Sequence, residues 1–198
     1  MDVGNCMTSA APIIIVSDIF GYNDYLKQLI ADCHFYSAVT IIDPYNRRGL
    51  KFDGQADAYE CFNCNGGLDA LTFKVKTFVS TLTQPSFLIG FSAGASAIWR
   101  VLVDSEHADM IEGGLCFYPG QIRHHLDLTP LSPVELIFPC HEAHFDLQPV
   151  IESVRLLPNT LCQQLDAQHG FMNRQLVEFD KVIYSEFCQN LSQKKGSD

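Results

Sequence analysis

No cluster of lysine and arginine marks this chain, and its 13 basic residues are outnumbered by 23 acidic ones, for a formal net charge of −10. That balance excludes the electrostatic footprint of a nucleic-acid binder. The apolar run Ile13-Ile14-Ile15-Val16 is far too short to span a bilayer, which takes about 20 residues. Met1-Asp2-Val3-Gly4-Asn5 lacks the basic start of a secretory signal. No internal repeat, low-complexity stretch or linker divides the 198 residues, so one domain is expected over 1–198, with 1–11 and 193–198 as flexible tails. The eight cysteines are scattered through apparent strands, helices and loops, unlike a disulfide framework. Cys116, Cys162 and Cys188 read as small buried apolar residues. Together these absences predict a cytoplasmic, reduced protein with no membrane or nucleic-acid partner, and they leave the oligomeric state open.

What is present is a large apolar complement. Apolar residues make up 47% of the chain and mean hydropathy is +0.05, which suits a compact core and argues against disorder. Strand-like runs rich in β-branched residues alternate with helical patterns. Strands are expected at 12–17, 38–43, 86–90, 113–118, 134–138 and near 160–165. Helices are expected at 22–33, 67–82, 93–104 and about 173–190, with a polar connection over 44–66. Leu68, Leu71, Val75 and Phe78 share one helical face, and so do Leu176, Phe179, Ile183 and Phe187. Strands apolar on both faces that alternate with helices imply a mostly parallel sheet of about six strands, flanked by helices. Ligands of such sheets bind beyond the carboxyl ends of the strands.

Gly90-Phe91-Ser92-Ala93-Gly94 lies between a strand and a helix, where a G-x-S-x-G nucleophile elbow belongs. So sharp a turn needs small residues two positions either side of the serine, and Gly90 and Gly94 supply them. Ser92 would attack a carbonyl once a base takes its proton. His169, the one histidine between the last strand and the last helix, would be that base. Glu142 is the favoured orienting acid, with Asp146 as its alternative and Asp127 third. The order serine, acid, histidine is that of α/β-hydrolases. Backbone N–H groups of Ile19 and Ala93 would form the oxyanion hole. Asp18 and Arg47 are candidates for contacts near the nucleophile and with substrate.

Four motifs resemble the dienelactone hydrolase family. They are Ser17-Asp18-Ile19-Phe20-Gly21-Tyr22-Asn23-Asp24-Tyr25, Asp43-Pro44-Tyr45-Asn46-Arg47, Gly90 to Gly94, and His169-Gly170-Phe171-Met172-Asn173. The resemblance implies a small, single-domain α/β-hydrolase fold without a large lid. Ser92 stands where the founding branch has cysteine, and Asp18 where glutamate is common. Asn173 replaces a second arginine that would clamp a substrate carboxylate, which turns the expectation away from a dienelactone.

Two metal-like patterns fail on spacing. His141 and His144 are three apart rather than the four of H-E-x-x-H, and adjacent His124 and His125 point apart. No metal or cofactor is expected. Cys61-x-x-Cys64 sits in a long connection and reads as two unpaired thiols. The sequence therefore favours a serine hydrolase acting on a small carboxylic ester, lactone or thioester through an acyl-enzyme. An acyltransferase using the same groups and a non-catalytic binding protein are the alternatives. A thiol oxidoreductase built on Cys61 and Cys64 ranks last.

Overall fold

Residues 11–193 are described by the computed structural model; the expected tails lie almost wholly outside them. The strands are β1 (Ile13–Val16), β2 (Val39–Ile42), β3 (Ser86–Phe91), β4 (Ile111–Phe117), β5 (Val134–Phe138) and β6 (Thr160–Gln164). The helices are α1 (Asp24–Cys33), α2 (Gln55–Cys64), α3 (Gly67–Val79), α4 (Ala93–Val101), α5 (Gln148–Val154) and α6 (Lys181–Gln193). All six strands are parallel, in the order β2-β1-β3-β4-β5-β6. From β3 onward each new strand joins outside its predecessor. The turn back from β2 past β1 to β3 makes β1 and β3 the central pair on that side.

Alternation along the strands builds two cores. Ile15, Ile89, Phe91, Leu115 and Phe117 pack against Tyr25, Leu26 and Leu29 of α1 and Tyr184 and Leu191 of α6. Their neighbours Ile14, Val16, Leu88, Cys116 and Leu136 face Leu71 and Val75 of α3 and Ile98 and Trp99 of α4. Each large side chain so buried contributes about 2 kcal/mol, which is why a parallel sheet needs apolar residues at consecutive positions. Among the described residues no helix is long and apolar enough to cross a membrane.

Three local readings change. The connection over 44–66 contains a helix, α2, whose inward side chains are only Ala58 and Phe62. The last helix begins at Lys181 rather than near 173, because Asp180 caps it by accepting from the N–H groups of Val182 (2.9 Å) and Ile183 (3.0 Å). A further helix, α5, follows the loop after β5.

Candidate active site

Ser92 occupies a backbone conformation that side chains seldom adopt, φ 51° and ψ −111°. Holding it costs about 1–3 kcal/mol, and the surroundings enforce it. The Ser92 N–H donates to Phe117 O at 2.9 Å, and its carbonyl accepts from Ser96 N at 3.0 Å and Ser96 Oγ at 3.1 Å. A Cβ on Gly90 would stand 2.6 Å from the Cα of Ala95, and one on Gly94 would run into the carbonyls of Val16 and Ser17. The elbow is thus pressed against the end of β1 with no room for a methyl group. Gly94→Ala should cost about 2–3 kcal/mol of stability, read as a lowered urea midpoint; an unchanged midpoint would contradict this packing.

His169 reaches the elbow from the loop after β6, and Glu142 reaches it from the loop after β5. Ser92 Oγ lies 2.9 Å from His169 Nε2, and His169 Nδ1 lies 2.8 Å from Glu142 Oε1. The Glu142 side chain is 11% exposed and that of His169 29%, so the line of contacts begins nearly dry and opens toward solvent. The two loops are tied together: Cys140 N donates to Ala167 O at 2.8 Å, and Gln164 Nε2 donates to Cys140 O at 3.1 Å. On its other side the imidazole packs against the Tyr118 ring, centroids 4.7 Å apart.

Asp146 is not part of this line. It accepts from Gln148 N at 3.1 Å and so opens α5. Asp127, in the connector between β4 and β5, makes no contact with His169 among the described residues.

Ile19 follows β1, and Ala93 opens α4 directly after the serine. Neither N–H donates to a protein acceptor among the described residues, as expected for the first turn of a helix and a turn held open. The Ile19 turn is fixed by Tyr45, whose hydroxyl donates to Ile19 O at 2.7 Å. Tyr45 is in turn set by Asp43, which accepts from Tyr45 N at 2.6 Å.

With this geometry in place, known structures supply the comparison. A Klebsiella pneumoniae protein carrying a provisional dienelactone hydrolase designation superposes at a TM-score of 0.68, with 14% identity, over 93% of this chain and 85% of that one. The chain has the α/β-hydrolase fold. A dienelactone hydrolase-like promiscuous phosphotriesterase, P91, from metagenomic libraries matches at 0.63 and 13% identity, over 92% and 85% of the two chains. The Bacillus subtilis carboxylesterase CesB matches at 0.59 and 13% identity, over 91% and 83%. In sequence, the chain is 27% identical to the uncharacterized Bacillus subtilis protein YczH over 177 residues, 87% of this chain and 86% of that one. No family model matches.

Within this α/β-hydrolase fold Asp18 is an interior carboxylate and does not line an open face. Its carboxylate is buried and accepts from Phe20 N (2.9 Å), Tyr25 Oη (2.9 Å) and Asn173 Nδ2 (3.3 Å). Three protein donors engage it, and Asn173, four residues after His169, is one of them. The pair joins the Ile19 turn to the histidine loop. Nothing in the sequence advertised Tyr25, the second residue of α1, or the ring of Tyr118 as neighbours of this site.

Burial raises the Asp18 carboxyl from 3.8 to about 6, opposed by its hydrogen bonds to Tyr25, Phe20 and Asn173 and by the nearby His169. A carboxyl raised in the folded state favours folding fully below its unfolded value, and that contribution is lost as pH rises through the folded value. Stability should therefore fall between about pH 4 and 6, by about 3 kcal/mol in total. Asp18→Asn should flatten this slope in urea titrations at several pH values. An unaltered slope would refute the assignment to Asp18.

Arg47 is drawn away from the serine. Its guanidinium donates to Ile41 O at 3.1 Å and lies 5.7 Å from the Tyr22 ring centroid, at the β2 edge of the sheet. As for metals, the acidic and histidine side chains that converge among the described residues are Asp104, Glu106 and His107. Asp104 is already engaged by Lys76 at 3.1 Å and His107 at 3.2 Å. Cys61 and Cys64 are free thiols in α2.

Proposed function

We propose that the chain is a serine hydrolase that cleaves a small carboxylic ester, lactone or thioester through an acyl-enzyme intermediate. The observation that carries this reading is the unbroken line from Ser92 Oγ to His169 Nε2 (2.9 Å) and from His169 Nδ1 to Glu142 Oε1 (2.8 Å). Ionised Glu142 accepts only, so it selects the imidazole tautomer with hydrogen on Nδ1 and leaves the Nε2 lone pair facing the serine hydroxyl. As Oγ attacks the carbonyl, Nε2 takes its proton, and Glu142 stabilises the resulting imidazolium. Charge developing on the carbonyl oxygen meets the N–H groups of Ile19 and Ala93, each free of a protein acceptor. The imidazolium then protonates the leaving alkoxide or thiolate, which departs as alcohol or thiol. Water attacks the acyl-enzyme with His169 again as base and frees Ser92.

The connector from β4 to β5 carries only a short 3-10 turn, Gly120–His124, which supports an open site for small acyl groups. The likeness to a carboxylesterase and to a dienelactone hydrolase-like protein points to the same class. Seven free thiols among the described residues support a reducing, cytoplasmic setting. The direct test is labelling by a fluorophosphonate. Expected is one covalent adduct, mapped to Ser92 and absent from Ser92→Ala. A folded chain that takes no label would instead be a non-catalytic binding protein.

A further inference from the structure

Hydrogen bonds pin the turn after β1 around one free donor. The Asp18 carbonyl accepts from Ser17 Oγ at 3.1 Å and from Gly21 N at 3.2 Å. Phe20 N donates to Asp18 Oδ1 at 2.9 Å, and Ile19 O accepts from Tyr45 Oη at 2.7 Å. The Ile19–Phe20 peptide is thus held at both ends. Ile19 N–H beside it is left without a protein acceptor among the described residues.

Tyr45 is buried and closely confined. A Cβ on Gly21 would stand 2.6 Å from its ring. Its N–H donates to Asp43 Oδ1, and its carbonyl accepts from Arg48 Nε at 3.0 Å. Asn46 and Arg47 follow with φ of 55° and 58°, consecutive left-handed residues that persist only where the surroundings hold them. One hold is Asp43 Oδ2, which accepts from Arg47 N at 2.8 Å. The other is Lys74 of α3, half-buried and without an ion pair among the described residues. Its ammonium donates to Asp43 O at 3.3 Å, to Pro44 O, and to Asn46 Oδ1 at 2.9 Å. An ammonium has three donors, and all three go to residues within two positions of Tyr45.

We infer, on the serine hydrolase reading of the site, that Tyr45 and Lys74 are positioning residues for the oxyanion donor. Lys74 sets the loop, the loop sets the Tyr45 hydroxyl, and the hydroxyl sets the peptide that follows Ile19 N–H. Both act through the turn and neither through contact with substrate. An oxyanion donor contributes only when aimed at the place where charge develops. A misplacement of about 1 Å from a distant change can cost a hundredfold in rate. Ground-state binding has no such requirement, so the effect falls on kcat rather than KM.

The test uses the full chain, p-nitrophenyl acetate and a short alkyl trifluoromethyl ketone, whose adduct with Ser92 would set an oxyanion against the same N–H groups. Expected for Tyr45→Phe and for Lys74→Ala is a fall in kcat of about ten- to a hundredfold. KM should stay within about twofold of wild type, and affinity for the ketone should fall as far as kcat. The double variant should fall no further than Tyr45→Phe alone, because both changes act through one hydroxyl. Ammonium chloride should restore kcat in Lys74→Ala by occupying the three oxygens, and should leave Tyr45→Phe unchanged. Tetramethylammonium chloride, which has no N–H to donate, should restore neither. Lys74→Gln keeps the stem and a donor, so its kcat should lie between Lys74→Ala and wild type; it carries the same test if the alanine variant does not fold.

An unchanged kcat in Tyr45→Phe would overturn the inference, and so would a lower kcat with undiminished affinity for the ketone. Additive losses in the double variant, or no rescue by ammonium, would remove Lys74 from it. A wild type inert to both the ester and a fluorophosphonate would instead overturn the hydrolase reading, and this inference with it.

Discussion

Ser92→Ala is expected to lower kcat for short p-nitrophenyl esters by roughly a million-fold, with no loss of thermal stability. The side chain donates to nothing but His169, and alanine meets the same positive φ. What remains is the rate that binding and the two N–H groups of Ile19 and Ala93 give an unaided water. Active-site titration should be used alongside steady-state rates, so that a trace of wild-type enzyme is not read as residual activity. A variant retaining more than about a tenth of the rate would remove Ser92 from the chemistry and, with it, the proposed acyl-enzyme.

The second large effect is expected at Glu142. Glu142→Gln keeps the shape of the side chain and should still lower kcat by about four orders of magnitude. An amide can present its NH2 to His169 Nδ1, which moves the ring hydrogen to Nε2 and leaves no base facing Ser92. Asp146→Asn is the matched control. Its carboxylate accepts from Gln148 N, so this variant should keep the wild-type rate and lose only a little stability at the start of α5. The opposite ranking of the two variants would transfer the role to Asp146 and contradict the 2.8 Å contact of Glu142 with His169.

These two acids also mark where the sequence stopped being informative. Both follow β5, and the sequence favours Glu142 only by its place in the chain. The choice is made by loop backbone, through Cys140 N on Ala167 O, and such contacts between distant segments leave no periodic trace. The strands were legible because their burial is repetitive, and the elbow because steric limits force small residues at fixed offsets from the serine. Helix α2 was hidden because two buried side chains, Ala58 and Phe62, make too narrow a stripe. The start of α6 was misplaced for the opposite reason. Leu176 and Phe179 continue the spacing of Ile183 and Phe187 through residues that are turns, and only the cap at Asp180 ends the illusion. Asp18 was recognised as a residue close to the site, but its partners Tyr25 and Asn173 lie 7 and 155 positions away. No local pattern could have paired them.

The outward order of β3, β4, β5 and β6 has a consequence for the chain as it leaves the ribosome. The elbow and the pocket that grips it belong to segments made early, whereas His169 follows Ser92 by 77 residues. At ordinary rates of synthesis that interval is roughly 4–15 s. Throughout it Ser92 is an alcohol without a base, however well its turn has formed. Hydrolysis would switch on only when the last strand docks and brings the imidazole with it. On the proposed mechanism, the sheet topology acts as a timer that keeps Ser92 silent until the rest of the molecule is in place.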